Sequence, residues 1–555
     1  MFKKSIALLV ILLLVVGMLA GCGSQQSSNQ NQNQQQQQQT QPKEKELVFA
    51  IGAEVPNLDA QKATDTYAIM VGNAVFEGLV RVYDGKVYPG MAEKWEVSED
   101  KTTYTFHLRD AKWSDGSPVT AYDFEYAIKR LLDPNTASEY AFQGYYIVNG
   151  EEYNTGKITD PNQIGVKALD DKTLQIKLKV PTKYFESLLS FISFYPVKKD
   201  FVEKMGEKYA ADADKMLYNG PFILKDWKHE QELVLEKNPN YWNKDAIKLD
   251  RVKILVVNEA NTAYQMYENG ELDFVGIPPD FVQKLKDEGK ALFYYDGAEF
   301  YFQFNVKRPG KPWLANENFI RAFGFAIDRE DWIKAVLGGV SDPATRYVLP
   351  LLSGVEKKFV EEYPYEFYPR KADPAKAKEY LDKALKELKI SDPSKIKIEF
   401  LTDDSSRAKL MAETIQDMIK KNLGIELVIK QVPFKQRLEL MNKSDYDIVF
   451  AGWGPDYDDP MTYIDLWVTG GGHNNTGWSN KQYDELVKFA KTTTDFKKRA
   501  DAMFEAEKLL LEKGPIVPVY FRQRAWTKKD YVTGLVRNFI GPDPDFIYAD
   551  VEGKN

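Results

Sequence analysis

The sequence predicts an α/β protein with a ligand site beyond the carboxyl ends of parallel strands. Two observations carry that expectation. Between residues 396 and 451, short apolar runs with strand character alternate with stretches of helical apolar spacing, and residues 452–459 (GWGPDYDD) then crowd aromatics and carboxylates into a turn-rich segment. Taken in order, residues 396–401 (IKIEFL) read as a strand. Residues 407–421 carry Leu410, Met411, Thr414, Ile415 and Met418 at helical spacing. Residues 425–429 read as a second strand, 434–441 as a short helix and 446–451 as a third strand, with Ile448, Val449, Phe450 and Ala451 as its apolar run. The order βαβαβ implies parallel strands joined by right-handed crossovers. Gly452, Gly454, Pro455 and Pro460 are expected to break the third strand at Gly452. Ligands of open α/β sheets bind outside the carboxyl ends of the strands. The loops 401–407 (LTDDSSR) and 452–459 leave two such ends.

The chain begins with a different kind of segment. Residues 1–21 hold Lys3 and Lys4, an apolar run from Ile6 to Val16, and Leu19-Ala20-Gly21 ahead of Cys22. That is the layout of a secretory signal. The alternative, a transmembrane anchor, needs about 20 apolar residues, and this run is shorter. Leu-Ala-Gly-Cys also resembles the bacterial lipobox, in which the cysteine is lipidated and becomes the first residue. Cys22 is the only cysteine, so the chain is expected to be exported, free of disulfides, and anchored by lipid to the outer face of the cell membrane without spanning it. Residues 24–46 are dominated by Gln and Asn and offer no apolar face to bury. Residues 22–46 therefore read as a disordered tether. About 20 such residues reach roughly 25 Å.

The roughly 510 residues that follow are long for one domain. With 43% hydrophobic and 28% charged residues they have globular composition. Loss of Lys3 and Lys4 with the leader takes the formal charge from −8 to −10. An acidic body argues against nucleic acid and against direct adhesion to an anionic membrane. No second long apolar segment occurs. Residues 47–51 read as a strand, and 58–79 as a loop followed by a helix carrying Ile69, Val71, Ala74, Val75 and Leu79. Within 76–134, alternating runs at 79–83 and 103–108, turns at Asp84-Gly85 and Asp115-Gly116, and a helix at 120–132 describe a small β-rich subdomain.

Four stretches make the chain resemble a known family. They are residues 89–130 (PGMAEKWEVSEDKTTYTFHLRDAKWSDGSPVTAYDFEYAIKR), 218–228 with 238–242 (YNGPFILKDWK, NPNYW), 302–330 (FQFNVKRPGKPWLANENFIRAFGFAIDRE) and 448–467 (IVFAGWGPDYDDPMTYIDLW). In this order they resemble the bacterial extracellular solute-binding proteins of family 5, the oligopeptide/dipeptide/nickel group that feeds ABC importers. DPNTASEY (133–140) and the GWGPDY loop are most similar to the oligopeptide binders. The resemblance implies a two-lobed, periplasmic-binding-protein-like α/β fold with an extra third domain and the ligand in the interlobe cleft. It implies domain I at 47–75, 197–297 and 521–555, the extra domain II at 76–196 and domain III at 298–520. It also implies a monomer that captures oligopeptides and hands them to permease subunits, with no cofactor and no metal.

Carried over residue by residue, the resemblance makes Asp456 the partner of a peptide's N-terminal ammonium. A carboxylate in a water-excluded cleft needs a cation, and a peptide amine supplies one with charge-assisted hydrogen bonds. The alternatives for these acids are a solvated loop, a helix cap or a calcium loop. Asp459 suits the cap before Pro460, and the calcium loop of Asp456, Asp458 and Asp459 lacks the glycine and bidentate glutamate of an EF-hand. Gly452 and Gly454 would let an extended ligand approach the backbone. Trp453 is either a pocket wall or core. Tyr140 matches a tyrosine that contacts peptide in the family, and Tyr520 is a further candidate. Phe450 stands where some relatives carry an arginine that meets the peptide carboxylate, and Thr64 where a relative has a glutamate. Arg407, after the first strand, could meet the carboxylate instead, or be the first turn of a surface helix.

Enzyme readings find no support. His107, His229 and His473 are scattered, and no H-E-x-x-H, G-x-S-x-G or C-x-x-C occurs. Gly470-Gly471-Gly472-His473 lacks the Lys-Ser/Thr of a phosphate loop. An oligosaccharide receptor of the same family and a peptide-pheromone sensor remain the alternative functions.

Overall fold

Strands far apart in sequence share each of the large sheets. The computed structural model describes residues 44–83 and 85–554. The leader, Cys22, most of the Gln/Asn-rich segment and the turn residue Asp84 lie outside the described residues. The ordered body starts before Leu47. Glu46 is already paired with Arg251, and Lys45 bonds Asp550 at 2.8 Å, so the tether's expected last residues belong to the fold.

The first sheet places Glu46–Ile51 parallel to Arg251–Val256, followed by the antiparallel strands Glu232–Lys237 and Phe222–Lys228. Leu47, Phe49 and Ile51 alternate inward, and Phe49 stacks on Phe274 at 4.8 Å. A second sheet orders Ala92–Val97, Thr103–Leu108, Thr173–Lys177 and Val166–Asp170. The helix Ala121–Leu132 covers it, burying Phe124, Ala127, Ile128 and Leu131. Its start is fixed by Asp123, whose carboxylate accepts the Thr120 N–H at 2.8 Å. The alternating run at 80–83 pairs instead with Lys86–Pro89 as a separate two-stranded ribbon.

The largest sheet runs Phe274–Gly276, Ile516–Lys528, Leu292–Phe304, Ile448–Trp453, Lys397–Asp403 and Glu426–Val432. The three strands expected from the βαβαβ pattern form its far half, with Lys397–Asp403 parallel to both others. The helices Ser406–Leu423 and Phe434–Asn442 connect them. The boundaries shift by one to three residues, and the shift at the end of the third strand bears on the site. The third strand does not break at Gly452 but continues to Trp453, because Gly452 and Trp453 stay laddered to Phe300 and Glu299.

Two strands of 13 residues, Leu292–Phe304 and Ile516–Lys528, pair along most of their length. Their register shifts between Tyr295 and Glu299, where Asp296, Gly297 and Ala298 face a single residue, Arg522. This bulge bends the pair. Gly297 has φ +76°, and a Cβ there would lie 2.3 Å from the Phe539 carbonyl oxygen, so only glycine fits. Behind the sheet, Arg329 is fully buried and donates to the carbonyls of Gly324, Ala344, Pro369 and Pro518.

Candidate functional site

The loop that leaves Ile448–Trp453 carries three acids, and they go to three different sets of partners. Asp458 accepts from the Ser353 N–H at 2.8 Å and its hydroxyl at 2.7 Å. Asp459 forms a bidentate pair with Arg499 at 2.7 and 2.8 Å and accepts the Met461 N–H at 2.9 Å. The N-cap of Met461–Ile464 is Pro460 rather than the expected Asp459, which sits one residue earlier and accepts the Met461 N–H from there. The carboxylates diverge, which is not the arrangement of a calcium loop.

Asp456 meets the extra β-rich segment. Its Oδ2 accepts the Gln143 amide N–H at 2.9 Å, its Oδ1 lies 3.5 Å from the Tyr140 hydroxyl, and its own N–H donates to Thr462 Oγ1 at 3.0 Å. The residue is only 8% exposed. Among the described residues no cation pairs with it. Burial pushes its carboxyl well above the usual carboxylate range, and the hydrogen bonds from Gln143 and Tyr140 pull it only partly back. Burial likewise pushes the Tyr140 phenol well above its ordinary value, helped by Asp456 and Glu139.

Aromatic rings wall this acid. Trp453 packs against His473 at 4.7 Å and Tyr140 at 5.9 Å, and Tyr140 meets His473 at 4.9 Å. Burial holds His473 down at about 4, so its ring is neutral at pH 7. Tyr184 stacks on Tyr457 at 4.6 Å. Beside the wall there is room. A Cβ on Gly454 would meet nothing within 4 Å, while one on Gly452 would meet the Phe300 ring at 2.7 Å. Gly452 is thus required by packing as well as being open on the sheet face.

Further along the same face, Tyr520 stacks on Phe300 at 4.9 Å and leans on Trp332 at 5.2 Å. Phe450 is buried between Phe300 and Phe302 at 5.8 and 4.9 Å, as an apolar wall. Arg407 lies in the first turn of Ser406–Leu423. It is exposed by area, yet loss of hydration lowers its pKa, and Arg524 and Arg522 lower it further, outweighing Tyr520. Both facts hold for a side chain that lines an internal cleft. Thr64 is half-buried ahead of Asp65, the N-cap of Thr66–Val75, and makes no bond to the Asp456 loop.

Gln143 and His473 escaped the reading of the sequence. Gln143 follows Tyr140 by three residues, and in the 3₁₀ helix Ala141–Tyr146 and its cap residues that far apart share a side. That spacing was an available signal. His473 had none, since only the tertiary fold sets it against Trp453.

The family model for bacterial extracellular solute-binding proteins, family 5 Middle, matches residues 86–475. The dipeptide-binding protein DppE of Bacillus subtilis is 38% identical over 84% of this chain and 85% of its own length. Listeria monocytogenes OppA bound to peptide superposes with a TM-score of 0.87 at 37% identity, over 92% of this chain and all of that one. The Escherichia coli murein tripeptide binding protein MppA gives 0.82 at 29% identity, over 92% of this chain and 98% of that one. Its unliganded open form gives only 0.59 at 30% identity, over 92% and 97%. With sequence relation and coverage nearly the same, the lower score sets the conformation described here apart from the open one. The chain belongs to the bacterial extracellular solute-binding proteins of family 5.

Proposed function

We propose that this protein is an extracytoplasmic receptor that captures oligopeptides in a closing cleft and delivers them to an ABC importer. The observation that carries the reading is Asp456: a carboxyl buried between the sheet loop and Gln143, hydrogen-bonded but without a cation. Such a group is stable as the neutral acid or when a cation arrives from outside. A peptide ammonium has three N–H donors. Asp456 supplies one acceptor, and the buried Gln143 Oε1, which has no partner among the described residues, supplies another. Trp453, Tyr140 and His473 exclude water from the pair, and the open side at Gly454 and Gly452 leaves space for a main chain. Arg407 and Tyr520 lie further along the cleft, and Thr64 is the weakest of the candidates. DppE, described as dipeptide-binding, and OppA, solved with a peptide, support the choice of ligand.

In this reading residues 1–21 are a lipoprotein signal, Cys22 carries the lipid, residues 22–46 up to the first strand are the tether, and the receptor acts as a monomer. The body divides into domain I (47–75, 197–297, 521–555), domain II (76–196) and domain III (298–520). The bulge at Asp296–Ala298 lies at one proposed boundary, which supports a hinge there.

Calorimetry on four combinations tests the amine anchor. Asp456→Ala should weaken binding of a free-amine peptide by ~2–5 kcal/mol, because the ammonium is left unpaired. That is about 30- to several-thousand-fold in Kd. N-acetylation should cost the wild type a similar factor, and the two losses should not add. Equal binding of acetylated and free peptides by the wild type would refute the anchor and favour an oligosaccharide ligand.

A further inference from the structure

The loop that carries Asp456 is seated on the bulge of the long strands, and one side chain makes most of the seat. Glu299 and Trp453 form the last pair of the ladder between Leu292–Phe304 and Ile448–Trp453. Beyond that pair the two backbones part, one into the bulge and the other into the Asp456 loop. Tyr463 fills the fork. Its hydroxyl donates to the Gly297 carbonyl at 2.6 Å and has the Trp453 carbonyl as a second acceptor at 3.3 Å. A phenol carries a single proton, so the short bond to the bulge is the principal one. Tyr463 is fully buried. Burial pushes its phenol well above the ordinary value, helped by Glu299 and Asp296, so the donor proton stays in place.

A second contact joins the same two segments. A Cβ on Gly297 would lie 2.7 Å from Pro455 Cδ and 3.0 Å from its Cγ, so the buried Pro455 ring rests directly on the bulge glycine. Pro455 immediately precedes Asp456. Thr462, next to Tyr463, accepts the Asp456 N–H at 3.0 Å. The short helix Met461–Ile464 that bears both residues is itself held from behind. Asp459 links its Met461 N–H to Arg499, and the Tyr483 hydroxyl donates to the Ile464 carbonyl at 2.5 Å. The helix thus has a fixed back, and a front that holds Asp456 through Thr462 and the bulge through Tyr463. In the proposed division Gly297 ends a segment of domain I, whereas Pro455, Thr462 and Tyr463 belong to domain III. A change in the bulge backbone on opening would take the Gly297 carbonyl away from the Tyr463 hydroxyl and the glycine away from the Pro455 ring.

We propose that Tyr463 is a positioning residue that seats Asp456 for the ligand's ammonium only while the bulge keeps its closed geometry. The proposal rests on the peptide-receptor reading and its amine anchor. Tyr463 acts through the loop rather than by contact with the ligand. One rearrangement of the bulge then both opens the cleft and loosens the charge pair, so release of the amine is tied to the same backbone that moves the lobes.

Tyr463→Phe in the full mature chain tests this, because it keeps the ring and removes the donor. Calorimetry compares one tightly bound free-amine peptide with its N-acetyl form. Loss of one hydrogen bond that holds the acid corresponds to about three- to tenfold in Kd, and the variant should bind the free-amine peptide more weakly by that factor. The acetylated peptide makes no use of the acid and should change by less than about twofold. The ratio of the two dissociation constants should therefore shrink. General loss of stability would weaken both peptides alike and leave the ratio where it was. Pro455→Ala, which removes the ring contact and no hydrogen bond, should shrink the ratio in the same direction, and it decides the matter if Tyr463→Phe does not fold. A folded Tyr463→Phe that keeps the wild-type ratio refutes the proposal and leaves the amine anchor standing. Equal binding of the two peptides by the wild type refutes the anchor itself, and failure of every peptide to bind sinks the receptor reading with it.

Discussion

Asp456 and Glu139 bring titration into the interface between the extra β-rich segment and the rest. Burial pushes the Glu139 carboxyl up to about 7, although Asn442 donates to it at 2.7 Å. A carboxyl raised in the closed state favours closure fully below its ordinary pKa of about 4.3, and that contribution is lost as pH rises through about 7. His473 works in the opposite direction. Its pKa falls to about 4 on burial, so its contribution is complete above about 6.5 and is lost as pH falls through about 4. The closed state should therefore be best supported in mildly acidic solution. Between about pH 4.3 and 6.5 the two trends offset, so Glu139→Gln should leave the His473 trend alone: peptide affinity should rise between about pH 4 and 6.5 and no longer fall from about 6.5 to 7. A titration series by calorimetry reads this directly, and an unchanged pH profile would remove Glu139 from the account.

Among the elements, the turn before His473 packs closely against the backbone at Glu139. A Cβ on Gly472 would lie 2.5 Å from the Glu139 carbonyl oxygen, and backbone cannot swing aside as a side chain can. Gly472→Ala should weaken peptide binding by about tenfold or more while leaving the melting temperature of the ligand-free protein nearly unchanged, as the proposed division into domains II and III separates these segments on opening. A fall in that melting temperature without loss of affinity would place the contact inside one rigid unit. The helix Phe496–Lys513 shows a different dependence. Its Glu507 is fully buried, pairs with Arg346 and accepts the N–H groups of Tyr347 and Val348 at 3.1 and 2.8 Å. Arg346→Ala leaves that carboxylate buried without its cation and should cost ~3–5 kcal/mol in denaturant unfolding.

For the whole molecule, an empty closed cleft carries a penalty that the ligand removes. Closing takes the Asp456 carboxylate out of water, so the ligand-free protein should rest open and the ammonium should favour closure. Asp456→Asn keeps the shape and removes the charge. It should give a smaller radius of gyration than the ligand-free wild type in small-angle scattering at pH 7, and that radius should respond little to peptide. A wild-type radius in the variant would separate closure from this acid.

The α/β class, the parallel βαβαβ unit and the loop bearing Asp456 were all legible in the sequence, because each rests on spacing within some 60 neighbouring residues. Resemblance added the family and pointed to Tyr140, 316 residues from Asp456, without fixing the distance between them. What the sequence could not supply is what folding brings together from a distance. Gln143 completes the acid pocket across 313 residues, and His473 closes its wall. Arg522 and Arg524 find Asp296 across 226 and 228. The extra two residues of the third strand came from its ladder to Leu292–Phe304, a long-range pairing that overrode the local breaking tendency of Gly452. Periodicity records which face of an element is buried. Only the tertiary structure decides which polar groups are left facing one another once it is.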